Sequence, residues 1–227
     1  MTPVRLSVVM PALNEAAAMA AALQALAPLA ARGAQLLVAD GGSQDATAGL
    51  AQAGGAQVVH APRGRALQMN AGAQQARGDI LVFLHVDTRL PPDADRLMAQ
   101  ALASGPQVWG RFDVHIEGRP RMLRVIAAFM NRRSRWTGIA TGDQALFMTR
   151  AAFDAVGGVP AQPLMEDIEM SRRLRPLSRP ACLRACVVTS GRRWETRGVW
   201  RTVLLMWRLR LAYWRGAAPE HLAELYR

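Results

Sequence analysis

The sequence contains no lysine, so all 28 of its basic residues are arginine. Against 17 acidic residues they give a formal net charge of +11. Arginine carries a planar guanidinium that suits the recognition of phosphate and carboxylate groups. A surface this basic is compatible with nucleic acid, anionic lipid or a phosphorylated substrate. The charge alone does not choose among these partners.

Cysteines and long apolar runs are also scarce. The two cysteines, Cys182 and Cys186, lack CxxC spacing, and one pair of thiols makes no disulfide framework, so we expect both to be reduced. No uninterrupted apolar run approaches the roughly 20 residues of a transmembrane helix. Pro11, Asn14 and Glu15 interrupt the N-terminal segment where a signal peptide would remain apolar. These absences predict a cytoplasmic protein, with peripheral contact at the inner face of the cell membrane left open.

One apolar run organises the rest of the chain. Five of the six residues from Ile80 to His85 are apolar, which is typical of a strand buried on both faces of a parallel sheet. The run ends in His85-Val86-Asp87. Ligands of open α/β sheets bind just beyond the carboxyl ends of strands. Asp87 is therefore a candidate for holding a metal ion together with the phosphates that the ion neutralises.

The first half of the chain alternates between strand and helix patterns. Strands are predicted over 6–10, 35–39, 57–60 and 80–85, with helices between them, and Asn14 and Ser43 are expected to cap the first two helices. Short connections in such a series favour a parallel sheet with right-handed crossovers. We therefore predict one α/β domain, residues 1–227, with a mostly parallel central sheet flanked by helices. Its parts are a nucleotide-binding half (1–105), an acceptor and catalytic half (106–195) and C-terminal amphipathic helices (196–227).

Polar residues follow each of the four predicted strands. If the strands are parallel, these residues meet at one edge of the sheet and suit a nucleoside diphosphate, because carboxylates can bind base, ribose and metal while arginine binds phosphate. Each element is weak by itself, since a Gly-Gly-Ser turn is usually only a turn and Asp87 could simply bond to its own turn. The residues concerned are Asn14, Glu15, Asp40, Arg63, Arg65, His85 and Asp87.

Several motifs, in order, resemble those of the family 2 glycosyltransferases of the GT-A fold. In the same order they are Pro11-Ala12-Leu13-Asn14-Glu15, Asp40-Gly41-Gly42-Ser43, Gly64-Arg65-Ala66-x-Gln68-x-Asn70, His85-Val86-Asp87, Gly142-Asp143-Gln144, Glu166-Asp167 and Arg192-Arg193-Trp194. The last motif and the closing helices resemble a subgroup of small bacterial members described as selenium- or radical-SAM-associated.

The resemblance implies an inverting transfer of a sugar from a UDP- or GDP-linked donor to an acceptor hydroxyl. Asp167, beside Glu166, would be the catalytic base, and Asp87 would hold Mg²⁺ or Mn²⁺, with His85 as a second candidate ligand. Residues of the quoted motifs, Asp87 again among them, would bind the nucleotide sugar: Pro11, Asn14, Glu15, Asp40, Arg65, Asn70, Asp87, Gly142, Asp143, Gln144, Arg192, Arg193 and Trp194.

The sequence departs from the family pattern at two positions. Gly41 stands where a second acid often contacts the base, so the nucleotide is open, and His85 stands at the first Asp of the metal-binding DxD motif. The alternative for Glu166 and Asp167 is that they only begin a helix, where acids favour the dipole. Arg192 and Arg193 could equally form a solvated basic face.

The segment Val199 to Trp214 has the pattern of a basic amphipathic helix, with Val203, Met206, Trp207, Arg210 and Trp214 at helical spacing. It either packs on the domain or lies at a lipid interface, and Arg121 to Arg133 repeats the pattern. A lipid-linked acceptor is one that the family resemblance admits.

Two other functions compete with glycosyl transfer. A sugar-nucleotide nucleotidyltransferase should carry a glycine-rich phosphate loop after the first strand, and Pro11 to Glu15 contains none. A basic nucleic-acid-binding protein should interleave aromatic residues with arginine on strands, whereas the aromatic residues here lie mostly in predicted helices. We therefore expect a nucleotide-sugar donor as the partner and no nucleic acid.

Overall fold

The computed structural model describes residues 5–226, and its eight strands form one sheet. The strands are β1 (Leu6–Ala12), β2 (Gln35–Asp40), β3 (Gln57–His60), β4 (Ile80–Phe83), β5 (Thr88–Arg89), β6 (Trp109–Glu117), β7 (Phe147–Thr149) and β8 (Ala181–Ser190). Their order across the sheet is β3-β2-β1-β4-β7-β6-β8-β5.

Ten α-helices in the described residues flank or follow this sheet. They are α1 (Ala16–Ala31), α2 (Thr47–Ala53), α3 (Arg65–Gln75), α4 (Ala94–Ala103), α5 (Met122–Thr137), α6 (Arg150–Ala155), α7 (Glu166–Leu174), α8 (Arg192–Arg197), α9 (Val199–Trp214) and α10 (Pro219–Tyr226). A 3₁₀ turn, Gly142–Gln144, precedes β7.

The first half is the predicted β-α series. Strands β3, β2, β1 and β4 are mutually parallel, with Val9 of β1 opposite Leu37 on one side and Phe83 on the other. These central side chains are fully or nearly fully buried, as expected for strands covered by helices on both faces. The parallel order brings the carboxyl ends of β1 and β4 to one edge of the sheet.

The second half makes the sheet mixed. Strand β7 runs antiparallel to both β4 and β6, β5 runs antiparallel to β8, and β6 pairs with β8 in parallel. The expectation of a mostly parallel sheet therefore holds for the first half and for β6 with β8. Periodicity reports burial and gives no strand direction, so it could not have predicted how the three-residue strand β7 runs.

Helices bury the two faces of the sheet in separate clusters. One face packs against α1, α4 and α5, with Met19, Met98 and Leu123 among the buried side chains. The other packs against α3, α6 and α7. Gly72 allows α3 to approach β1 closely, because a Cβ atom at this position would lie 2.4 Å from Cγ1 of Val9.

Three local predictions were wrong. Strand β4 ends at Phe83, although the Leu84 N–H still donates to the Val9 carbonyl of β1 at 3.0 Å; His85 to Thr88 then form a turn in which the Thr88 N–H donates to the His85 carbonyl at 3.0 Å. Asn14 has a φ of 54° and caps no helix; its Oδ1 accepts the Gln44 N–H at 2.8 Å. Ser43 donates its hydroxyl to Asp40, so α2 begins only at Thr47. Neither side chain begins a helix; each instead forms hydrogen bonds within or between the loops that follow β1 and β2.

The C-terminal helices close over α7. Leu209 of α9 and Leu222 of α10 form a small buried cluster with Met165 and Ile168. The predicted apolar stripe of α9 is split between two environments, because Met206 and Arg210 line a cleft while Trp207 and Trp214 remain exposed. This helix therefore contributes one wall of the cleft and one solvent-facing surface.

Candidate active site

A cleft of about 490 Å³ opens at the carboxyl ends of β1 and β4, between the 3₁₀ turn, α7 and the C-terminal helices. Most residues predicted from the sequence line it, although they come from six separate segments of the chain. They are Pro11, Glu15, Arg65, His85, Asp87, Gly142, Asp143, Glu166, Asp167, Arg192, Arg193 and Trp194.

One side of the cleft combines Asp87 with Glu15 and Arg192. Asp87 lies in the turn after β4, and its carbonyl accepts the Ser190 N–H at 3.3 Å, which anchors this turn to β8. Burial raises the pKa of Glu15, and the charge of Asp87 raises it further, while Arg192 opposes the shift. Nη2 of Arg192 lies 4.0 Å from Oε2 of Glu15. The Asp87 charge is thus close enough to Glu15 to disfavour the ionisation of Glu15.

His85 is held by the 3₁₀ turn. Its Nδ1 lies 3.4 Å from Oδ1 of Asp143, and a Cβ atom on Gly142 would lie 2.6 Å from its Nε2. Burial opposes the ionisation of Asp143, but the hydrogen bond and charge of His85 outweigh burial and hold the pKa of that carboxyl below its usual range. Both ring nitrogens of His85 therefore face the turn, which makes it a link between β4 and this turn.

The donor set for a metal ion is small. Among residues 5–226, no three His, Cys, Asp or Glu side chains come together in a way that could hold one. Mg²⁺ and similar cations commonly bind one or two carboxylates and take their other ligands from substrate phosphates and water. Asp87, with Glu15 near it, fits that arrangement, and a cation there would also relieve the repulsion between these two carboxylates.

Two acids at the start of α7 have different surroundings. Glu166 is buried, and its Oε1 accepts a hydrogen bond from Nη1 of Arg65 at 2.9 Å. Burial raises the pKa of Glu166, the charge of Arg65 opposes this and that of Asp167 adds to it. Asp167 faces the cleft, and its Oδ2 accepts the Gly142 N–H at 2.9 Å. The half-buried Asp167 can reach a ligand in the cleft, whereas the buried Glu166 holds Arg65.

Basic side chains of α8 line the cleft near Asp87. The motif Arg192-Arg193-Trp194 forms the first half of α8, and all three residues line the cleft. Burial lowers the pKa of Arg193, and the charge of Arg65 lowers it further. The Arg193 guanidinium stacks 4.8 Å from the ring centroid of Tyr226. Two cations forced together beside Asp87 and Asp143 make a favourable place for an anion.

Four predicted binding residues do not line this cleft. The Asp40 carboxylate accepts the N–H groups of Gly42 and Ser43 in its own turn. Asn70 donates to the Val159 carbonyl and accepts its N–H, both at 2.8 Å. Gln144 is fully buried and donates to Ser134 Oγ at 3.1 Å. The fourth, Asn14, joins two loops as described above. All four hold the frame of the site through their hydrogen bonds.

Other cleft residues were missed by the sequence interpretation. Met165, Arg210 and Tyr226 line the cleft, yet they lie on segments with no recognised motif. The sequence predicts Arg210 only as part of the stripe on α9. Its place in the helix that follows the Arg-Trp motif is the one sequence signal that could have indicated a position in the cleft. Tyr226 gives no such signal, because its position depends on how α10 folds back.

No helix between residues 5 and 226 has both the length and the apolar character needed to cross a bilayer.

Comparison with curated protein sequences gives no match. Comparison with solved structures gives several for glucosyl-3-phosphoglycerate synthase from Mycobacterium tuberculosis. Its complex with Mn²⁺, UDP and glucosyl-3-phosphoglycerate has a TM-score of 0.61 and 21% identity, covering 82% of this chain and 71% of that one.

Two further complexes of the same enzyme agree with this similarity. The complex with Mn²⁺ and UDP-glucose has a TM-score of 0.62 at 21% identity, covering 82% of this chain and 70% of that one. The complex with Mg²⁺ and UDP has the same score and identity, covering 81% and 70%. The sequence itself matches the glycosyl transferase family 2 over residues 7–157, which is well over half of the chain. The protein is therefore a glycosyltransferase and belongs to glycosyl transferase family 2.

Proposed function

We propose that the protein transfers a sugar, with inversion, from a nucleoside-diphosphate sugar to an acceptor hydroxyl, using Asp167 as the base. The observation that carries this proposal is that Asp167 and Asp87 line one cleft together with Arg65, Arg192 and Arg193. The fold match to enzyme complexes with UDP-glucose supports a UDP-linked donor. We further assign the chain to the selenium- or radical-SAM-associated subgroup, on its Arg192-Arg193-Trp194 motif and closing helices.

Asp167 is positioned before any substrate arrives. The Gly142 and Ile168 N–H groups donate to its two carboxylate oxygens, at 2.9 and 2.7 Å. These two bonds fix the carboxylate while leaving lone pairs free to accept the proton of an acceptor hydroxyl. Glu166, in turn, fixes Arg65 in the cleft. The reaction therefore separates the roles of the two adjacent acids, with Asp167 as base and Glu166 as the partner of Arg65.

The opposite side of the cleft would hold the diphosphate. Arg65, Arg192 and Arg193 supply positive charge where negative charge develops on the leaving diphosphate. Asp87 would hold Mg²⁺ or Mn²⁺, whose Lewis acidity stabilises that charge. In the proposed division of the chain, residues 1–105 would bind the nucleotide and metal, and residues 106–195 would supply the base and the acceptor side together with Arg192 and Arg193 for the diphosphate.

The test compares binding with transfer in two variants. Asp167→Asn should bind UDP with Mn²⁺ as the wild type does, but should lose transfer by about 100-fold or more, since general base catalysis contributes about 10²–10⁴-fold. Asp87→Asn should lose the Mn²⁺-dependent thermal shift with UDP. Glu169→Gln, which changes another acid of α7 two residues after Asp167, is the matched control. Transfer by Asp167→Asn at near the wild-type rate would disprove the base assignment.

We also infer a peripheral contact with anionic membrane, through a surface that we call the α5–α9 face. Its exposed apolar residues are Val125, Phe129 and Trp136 of α5 and Trp200, Leu204, Trp207, Leu211 and Trp214 of α9. Phe129 and Trp207 join the helices, with ring centroids 6.4 Å apart. Neither helix contains an acidic residue, while both carry exposed arginines. Exposed tryptophans surrounded by arginine suit an anionic lipid interface.

Flotation with vesicles tests this contact. Wild-type protein should float with vesicles that contain phosphatidylglycerol, and less with pure phosphatidylcholine, because the arginines add attraction to anionic lipid. Trp207→Asp should abolish flotation. Leu67→Asp changes an exposed apolar residue of α3, which packs on the face of the sheet opposite α5, and should float normally. Wild-type protein that stays at the bottom of the gradient with both vesicles would refute the contact while leaving glycosyl transfer untouched.

A further inference from the structure

Two arginines beside Asp167 have no partner in the described part of the chain. Arg210 of α9 lines the cleft with Asp167, and no hydrogen bond or ion pair joins its side chain to a residue within 5–226. Nε and Nη2 of Arg133, on α5, are buried and make no hydrogen bond there either. Both side chains stand on the side of the base, away from the group that contains Asp87.

Two other arginines of the fold have carboxylate partners. Arg111, which is completely buried, donates to Asp113 and to the Asn131 carbonyl, and only its Nε lacks a partner. Arg65, which is partly open to water, donates to Glu166, as described above. Arg133 differs from both because no carboxylate or carbonyl in the described part of the chain accepts a hydrogen bond from its side chain. Because buried polar nitrogens without a partner are unfavourable, Nε and Nη2 of Arg133, next to the half-buried Arg210 in the cleft wall, favour a partner from outside the chain.

The electrostatics of the pair indicate what that partner would be. Burial lowers the pKa of Arg133 to about 10, with the charge of Arg210 acting in the same direction, so Arg133 remains a cation at neutral pH. Burial also lowers the pKa of Arg210. Asp167 is the carboxylate whose charge favours the cationic form of both. An arriving anion would neutralise two cations that the protein leaves repelling each other.

We propose that Arg133 and Arg210 form a subsite for an anionic group of the acceptor, a phosphate or a carboxylate, beside the Asp167 carboxylate. The anion would accept charge-assisted hydrogen bonds from the two guanidiniums. That would place a neighbouring hydroxyl of the same molecule near the base. The substrate class is thus an acceptor with an acidic group close to the hydroxyl that receives the sugar. This inference rests on the proposed function, which assigns Asp167 as the base.

The subsite is separate from the arginines on the donor side. Arg193 interacts with Asp87 and Asp143, at the end of the cleft assigned to the diphosphate. Arg133 and Arg210 instead interact with Asp167 and with each other. Filling the donor end with UDP and Mg²⁺ should therefore leave the second anion site free, which allows the two sites to be measured in one preparation.

The test is anion binding in the presence of UDP and Mg²⁺. Inorganic phosphate and glycerol 3-phosphate should raise the Tm of the wild type above that in chloride of equal ionic strength, and glycerol should not. Arg133→Met and Arg210→Met should each weaken glycerol 3-phosphate binding by about tenfold or more, while Arg210→Lys should retain part of it. Arg208→Met, an exposed position on the same helix, should bind as the wild type does.

The stability of the variants gives a second readout. Without added anion, Arg133→Met and Arg210→Met should be at least as stable as the wild type, because each removes an unpaired buried charge. Variants that keep the anion-dependent shift, or that unfold more easily in chloride, would overturn the subsite. So would an equal loss of binding in Arg208→Met.

The source of the anionic group is decided by a vesicle arm. Phosphatidylcholine vesicles with and without phosphatidic acid are compared with soluble glycerol 3-phosphate. If phosphatidic acid or glycerol 3-phosphate binds in a way that requires Arg133 and Arg210, the subsite is supported and the ligand that binds identifies the source. If neither ligand binds, the subsite is refuted. A wild type that binds no UDP but retains the arginine-dependent anion shift would refute the proposed function alone. Normal UDP binding without that shift would refute the subsite alone.

Discussion

Replacing Arg65 by methionine should expose how much the buried Glu166 depends on its partner. The side chain of Glu166 is 3% exposed and that of Arg65 is 41% exposed, with 2.9 Å between Nη1 and Oε1. Arg65→Met keeps most of the side-chain length but removes the guanidinium. Glu166 would then remain buried next to Asp167, whose charge already disfavours its ionisation.

The expected loss is about 2 kcal/mol of unfolding free energy at about pH 8. This lies within the range of about 1.5–3 kcal/mol for hydrogen bonds to charged groups. It is below the roughly 3–5 kcal/mol that follows from breaking a fully buried ion pair, because water reaches Arg65. For a chain of this size such a loss lowers Tm by about 4–8 °C.

The loss should depend on pH in a defined direction. Burial already raises the pKa of Glu166, and the loss of Arg65 raises it further. Once the pH falls below that raised pKa, Glu166 is a neutral acid in the variant and no longer needs a cation. Urea unfolding at about pH 8 and about pH 5 should therefore show a smaller loss at the lower pH.

Two comparisons make this prediction refutable. Arg63→Met changes an exposed arginine two residues earlier and should cost little at either pH. Adding Glu166→Gln to Arg65→Met should recover stability, since the buried charge is then gone. An equal loss at both pH values, or no recovery in the double variant, would show that the pair does not account for the effect of Arg65.

Two further predictions concern packing and titration. Gly72→Ala should destabilise the protein by about 1–3 kcal/mol, because its Cβ would lie 2.4 Å from Cγ1 of Val9. Gly49→Ala meets open space within α2 and should stabilise the protein by about 0.4–1 kcal/mol. Urea unfolding that ranks the two variants in the other order would contradict this packing. Burial raises the pKa of Glu15 above 4.5, so the native state holds this proton to a higher pH than the unfolded chain does. The wild type should then lose stability relative to Glu15→Gln as pH rises just above 4.5, and parallel curves of Tm against pH would contradict it.

The part of the site that could be predicted from the sequence depends on strand ends. Glu15, Arg65 and Asp87 each follow a strand of the parallel part of the sheet, and parallel pairing brings such positions to one edge whatever the details of packing. Their shared cleft was therefore foreseeable. The alternation of apolar strands with helices also predicted the α/β fold of the first half.

What could not be predicted depends on long-range contacts. Arg133 and Arg210 meet at Asp167 only because α9 folds back against the start of α7. The internal roles of Asn70 and Gln144 likewise depend on partners far away in sequence or hidden in the core. Motif spacing reports which residues are present, whereas burial decides whether an amide faces a ligand or another part of the chain.

The 3₁₀ turn at Gly142–Gln144 lies between the part of the cleft that contains Asp167 and the part that contains His85. Its first residue donates its N–H to Asp167 and leaves no room for a side chain beside His85, while Asp143 bonds to that histidine. Gln144 then ties the turn to the buried Ser134 of α5. Three consecutive residues thus set the separation between the proposed metal end and the proposed base end of the cleft. A change in this turn would act on both ends together, as a single mechanical unit.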